Sequence, residues 1–214
     1  MPPAPETHES LPLLRRPAFV LAMLLVVYTF NFIDRQILGI LAGPIKADLG
    51  LSDTQLGALG GFAFALLYST MGLPLAWLAD RRGRTRVIAA SLAVWSAFTA
   101  LCGMVSGFWA MFACRLGVGV GEAGGVAPSY ALISDTFPPQ RRARALAIYS
   151  LGIPLGSAAG ILLGGYVAAA VNWRAAFLAV GLAGLAFTPL FAWTVRDPRR
   201  PQAGEAPAMR AVLA

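Results

Sequence analysis

Charge is scarce in this sequence. Only 13% of its 214 residues are Asp, Glu, Lys or Arg, 57% are hydrophobic, and the mean hydropathy is +0.67. A soluble domain averages about 25% charged and about 45–50% apolar residues. The scarcity is patterned. Gln55 to Ala79, Val87 to Cys114, Ala145 to Trp173 and Ala175 to Val195 contain no charged residue. Each run has at least about the 20 residues that a helix needs to cross a bilayer. A soluble globular domain is excluded.

Histidine and cysteine are nearly missing too. The one histidine, His8, sits in a Pro-rich tail, and the two cysteines, Cys102 and Cys114, lie inside apolar runs. Two such cysteines make no disulfide framework. A membrane enzyme needs a nucleophile with its base, or a metal cluster, and neither constellation is present; no cofactor or metal is expected. The net charge of +7 comes from arginines spread among short turns rather than gathered on one face, which argues against nucleic acid. The first apolar stretch is too long for a signal peptide and ends on no small-residue cleavage site.

What remains is a multi-pass pattern. Spans are expected at 18–44, 54–79, 87–106, 108–133, 145–170 and 174–195, with a tail over 1–17 and another over 196–214. Ser52 and Gln55 form a capping box at the entry to span two, and "GMVSG" at 103–107 is a tight turn. Thirteen arginines fall on one side: Arg15, Arg16, Arg81, Arg82, Arg84, Arg86, Arg141, Arg142, Arg144, Arg196, Arg199, Arg200 and Arg210. The other side has only Lys46 and Arg174. The positive-inside rule then places both termini in the cytoplasm, and the expected location is the plasma (inner) membrane.

Four ionisable residues fall within the spans: Asp34 and Arg35 on span one, Arg115 and Glu122 on span four. From the helical rise, Asp34, Arg35 and Arg115 lie about 6–8 Å to the outer side of mid-membrane, with Glu122 near the midplane. Stranding such charges in hydrocarbon is costly unless they are paired or face water. Asp34 and Arg35 point about 100° apart, so they are poor partners for each other, whereas Arg115 and Glu122 share a face. Pairing between the two helices, across a wet cavity, is the expected solution. One reading is a structural cluster that fixes register. The other is proton uptake and release by Asp34 or Glu122, the two acids available.

Glycines recur every four residues at Gly152, Gly156, Gly160 and Gly164 on span five, with Pro154 among them. Gly117, Gly121 and Gly125 repeat the spacing on span four, and Gly57 and Gly61 on span two. Four in register on one helix predict a close helix–helix contact. "GVGEAG" at 119–124 matches a dinucleotide-binding pattern, but that motif needs a strand before it, and here it lies in a membrane span.

"LADRRGRTR" (78–86), "RLGVGVGEAG" (115–124), "GIPLGSAAG" (152–160) and "NWRAAF" (172–177) resemble, in order, the loop, span-four, span-five and span-six motifs of the major facilitator superfamily. "NFIDRQILGIL", "DLGLSDTQLGAL" and "FAFALLY" are similar to its spinster-like branch. The resemblance implies an all-α integral membrane protein, the six-helix N-terminal half of a major facilitator fold built as a 3+3 inverted repeat. It also implies secondary active, proton-coupled transport of an amphipathic or lipid-like organic molecule by alternating access, and not enzymatic activity. Asp34 and Glu122 would couple protons. Arg35 and Arg115 would pair charge or hold an anionic head group, with Tyr28, Asn31 and Phe32 as candidate substrate contacts. Asp80, Gly83, Arg84 and Asp135 would form the cytoplasmic gate. The glycine usual four residues before the loop acid is Ala76 here.

The family fold has two such halves, and 214 residues supply one. A second six-helix half is therefore an expected partner, in cis if the sequence is a fragment, otherwise from a homodimer or a separate chain. The resemblance further implies that the span-five glycines face that second half. The competing expectation is a truncated, non-transporting membrane protein or assembly subunit.

Overall fold

In the computed structural model, residues 16–198 are described. Tail positions 1–15 and 199–214, with His8, Arg15, Arg199, Arg200 and Arg210, lie outside the described residues. Span one is Pro17–Ile40, followed by a short helix, Ala42–Leu49. Span two is Asp53–Arg82, span three Arg84–Cys102 and span six Trp173–Thr194. Spans four and five each come in two helical pieces, Phe108–Ala123 with Val126–Thr136, and Pro139–Ser150 with Gly152–Ala170. Among the described residues, five helical elements are long and apolar enough to cross a membrane, the divided span five being one of them and the divided span four not.

The interruptions have a common chemical cause. Proline lacks the N–H for an i→i−4 bond, and its ring crowds the carbonyl four residues back. Pro44, Pro128 and Pro154 stand four residues after Ile40, Gly124 and Ser150, where the helices break. The expected continuous spans 18–44, 108–133 and 145–170 are therefore each divided. Pro74 and Pro189 sit inside unbroken helices. Span two opens as expected: Gln55 N–H donates to Ser52 Oγ at 3.2 Å, and Ser52 N–H to Gln55 Oε1 at 2.9 Å. A π-helical turn, Ala58–Phe62, follows.

Span one packs along span five, span two along span four, and span three along span six. Exchanging spans one to three with four to six maps the first of these pairs onto the second, as a 3+3 repeat requires. Glycines set the closest approaches. A Cβ on Gly121 would stand 2.5 Å from Trp95 N, and one on Gly181 2.6 Å from Ser96 O. Trp95 of span three is buried against span four, 2% exposed.

The span-five stripe corrects an expectation. Gly152, Gly156, Gly160 and Gly164 are buried against span one of the same chain, not turned toward a missing half. Added Cβ atoms would meet Tyr28 Cβ at 3.0 Å, Thr29 O at 2.5 Å, Gln36 Cβ at 2.9 Å and Ile37 Cγ1 at 3.1 Å, respectively. Pro154 is exposed on another face. Gly57 and Gly61 meet nothing within 4 Å.

Candidate functional site

The four intramembrane charges form two pairs between spans one and four. Arg115 Nη1 lies 3.2 Å from Asp34 Oδ2, and Arg35 Nε lies 2.8 Å from Glu122 Oε2. One residue step on span one turns the side chain by about 100°, so neighbouring residues reach partners two turns apart on span four. The net charge of the four is zero, which makes their burial tolerable.

The two pairs occupy different environments. Asp34 and Arg115 are 0% and 2% exposed. Thr99 of span three completes their site, its hydroxyl 2.5 Å from Asp34 Oδ1 and 2.9 Å from Trp95 O. A hydroxyl has one proton to donate, so it serves one of these acceptors at a time. Beside Asp34 is a narrow space of about 150 Å³, lined by Phe30, Trp95, Ser96, Thr99 and Val180 among others and too tight for a water molecule. Asp34 thus does not face a wet cavity in this conformation, contrary to expectation; it is locked between three helices.

Arg35 is the more open member, with its side chain 27% exposed. Its guanidinium sits 5.2 Å from the Phe32 ring centroid, 4.8 Å from Phe64 and 5.0 Å from Tyr68. Such contacts contribute about 0.5–2 kcal/mol each, most when desolvated. Phe64 also approaches Arg115, at 5.8 Å, so one ring of span two touches both pairs. Three buried polar atoms of the cluster have no protein partner: Asn31 Oδ1, Arg115 Nε and Glu122 Oε1. Tyr28 is buried, stacked on Tyr149 at 4.3 Å with Phe32 edge-on at 5.1 Å, which makes it a packing residue here.

At the arginine-rich side, Gly83 adopts φ +96°, a region that side chains rarely occupy. That turn brings Arg84 Nη2 to 3.1 Å from Asp80 Oδ1, while Nη1 pairs with Asp135 at the end of span four. Asp80, Gly83, Arg84 and Asp135 are therefore one assembly. Sequence reasoning missed its third acid: Arg84 N–H donates to Asp197 Oδ2 at 2.8 Å, which places a carboxylate at the positive end of span three.

The opposite side has a clip that was also missed. Asp48, past span one, accepts from Arg174 Nη1 and, at 3.2 Å, from Trp173 Nε1. Arg174 Nη2 donates to Val105 O at 3.0 Å, so one guanidinium joins all three connections on that side. The Arg174 hydrogen bond, with the Trp173 one, holds the Asp48 carboxyl below its ordinary value of 3.8.

The spans thus form a helical bundle with paired charges at its centre and an Arg–Asp assembly at one end. The chain belongs to the Major Facilitator Superfamily, whose family model matches residues 24–213. It is 39% identical over 176 residues to an MFS-type efflux pump of Mycolicibacterium smegmatis, covering 82% of this chain and 41% of that protein. It is 29% identical over 192 residues to a hexuronate transporter of Bacillus subtilis, covering 90% and 45%. Among solved structures, a bacterial homologue of the human lysosomal transporter Spinster, inward-facing and unoccupied, superposes with TM-score 0.81 at 34% identity, over 89% of this chain and 45% of that one. The spinster-like resemblance is consistent with this likeness. The chain spans less than half the length of these relatives.

Proposed function

We propose that this chain forms one wall of a proton-coupled secondary transporter that moves an amphipathic organic molecule by alternating access. The supporting observation is the crossed pairing of Asp34 with Arg115 and Arg35 with Glu122, one pair sealed and the other at a half-open aromatic face. Asp34 carries the proton. When it is protonated its attraction for Arg115 falls, Thr99 is free to donate to Trp95 O, and the span one–span four contact loosens. Glu122 holds Arg35 in place until an anionic group on the substrate competes for the guanidinium. Phe32, Phe64 and Tyr68 then offer apolar surface to the rest of the molecule.

The relatives named as efflux pump and hexuronate transporter support transport of an organic solute. The lipid-like character of the substrate rests on the spinster-like resemblance alone. A second six-helix half supplies the facing wall, in cis or from another chain. The arginine-rich side is cytoplasmic, in the plasma membrane, and the Arg84 assembly latches that side.

The test is gradient-driven uptake in proteoliposomes by a two-half transporter containing this chain. Wild-type protein accumulates solute under an imposed proton gradient. Arg35→Ala weakens solute binding, and Asp34→Asn loses the response to the gradient. Uptake indifferent to the gradient would overturn the proton coupling.

A further inference from the structure

The fold brings together the two cysteines of the chain, which in the sequence stand apart in apolar surroundings with no evident partner. Spans three and four run antiparallel in close contact, and the span-four glycines fix their register. A Cβ on Gly121 would stand 2.5 Å from Trp95 N, and one on Gly117 2.5 Å from the Phe98 ring. One further turn along the same seam, away from the arginine-rich side, sets Cys114 against Cys102. The two thiols share a hydrogen bond there. Cys102 is the last residue of span three and is buried in an apolar cluster with Met111 and Phe177. Cys114 is half-buried against the same cluster.

A disulfide needs Cα atoms within about 7 Å and side chains that point at each other. Thiols that already touch meet the second need, and the close helix approach at Gly117 favours the first. We infer that Cys102 and Cys114 form a disulfide that staples span three to span four. The oxidant is a second disulfide, of a small molecule or a protein. The more open Cys114, as its thiolate, attacks it, which gives a mixed disulfide and releases one thiol. Cys102 then loses its proton and attacks Cys114 Sγ, the second thiol leaves, and the bond within the chain closes. The chain gives up two protons and two electrons, and the attacked disulfide becomes two thiols. Thr99 lies one turn before Cys102, and Arg115 directly follows Cys114. The staple therefore joins the segments that supply both partners of Asp34. In the orientation proposed above, this end of span three lies outside the cytoplasm, where disulfides persist; the thiol chemistry itself does not depend on that reading.

The test treats the full reduced chain, folded in detergent micelles, with dipyridyl disulfide at mildly alkaline pH. Chymotrypsin then cuts at the intervening Phe108 and Trp109, and mass spectrometry reads the peptides before any reduction. Wild-type protein should give one crosslinked peptide pair, lighter than the two thiol peptides by two hydrogen atoms, from chains that stay monomeric. Its thermal unfolding midpoint should rise and should return on adding dithiothreitol. Cys102→Ser should instead trap the pyridyl adduct on Cys114. Cys114→Ser should react several-fold more slowly, because Cys102 is buried. The wild-type result decides the matter if a variant does not fold. Stable adducts on both wild-type cysteines, thiols that stay unmodified, or a crosslink between chains would each overturn the inference. So would a crosslink that forms only after unfolding or that does not raise the midpoint.

Discussion

Asp34 of span one and Arg115 of span four lie 3.2 Å apart with almost no solvent exposure, and the Thr99 hydroxyl lies 2.5 Å from the same carboxylate. A buried pair of this kind adds little net stability, but removing one partner strands the other charge, at a cost of about 3–5 kcal/mol. Asp34→Asn and Arg115→Gln should each lower the thermal unfolding midpoint in detergent. The double variant should recover much of the loss, because neither charge is then left alone. Additive losses would show that the pair is not coupled.

The glycine contacts give a contrast within one experiment. Gly156→Ala places a Cβ 2.5 Å from Thr29 O, so spans one and five must separate, with an expected loss of about 1–3 kcal/mol. Gly61→Ala meets nothing within 4 Å. It should be neutral or should stabilise by up to about 1 kcal/mol by removing a mid-helix glycine. Denaturant unfolding of both variants in micelles checks the ordering.

At the arginine-rich side, Arg84 joins Asp80 and Asp135. Arg84→Ala should speed hydrogen exchange over residues 80–86 and around Asp135. The same change at the exposed Arg82 should leave those rates unaltered. Equal effects of the two substitutions would remove any special role from the Arg84 assembly.

The Asp48 clip predicts a pH dependence. Its carboxyl is held below the ordinary value of 3.8, so its contribution is present above that value and is lost as pH falls through the lower folded one. The unfolding midpoint of wild-type protein should fall more steeply below about pH 4 than that of Asp48→Asn. Parallel curves would show that the clip does not titrate with folding.

Much of this arrangement was legible in the sequence. Charge-free runs gave the spans, and the 100° step between Asp34 and Arg35 pointed to pairing between helices. The helix breaks were legible in principle, since Pro44, Pro128 and Pro154 each forbid the bond to a residue four earlier. Thr99 was not. In a helix, a threonine that bonds back to i−4, as Thr99 does to Trp95, looks like any other until the acid opposite is known. Phe64 and Tyr68 were hidden for a related reason, because an aromatic residue in an apolar span carries no mark of the cation it will cover. The direction of the span-five glycines was misjudged: spacing gives the existence of a close contact but not its partner.

Proton-gradient-driven uptake compared with solute exchange, for Asp34→Asn in a two-half transporter, tests the central claim most directly. Exchange needs alternating access but no net proton movement. If Asp34 carries the proton, the variant keeps exchange and loses gradient-driven accumulation. Accumulation equal to that of wild-type protein would contradict the account and leave the crossed charge pairs a purely structural role.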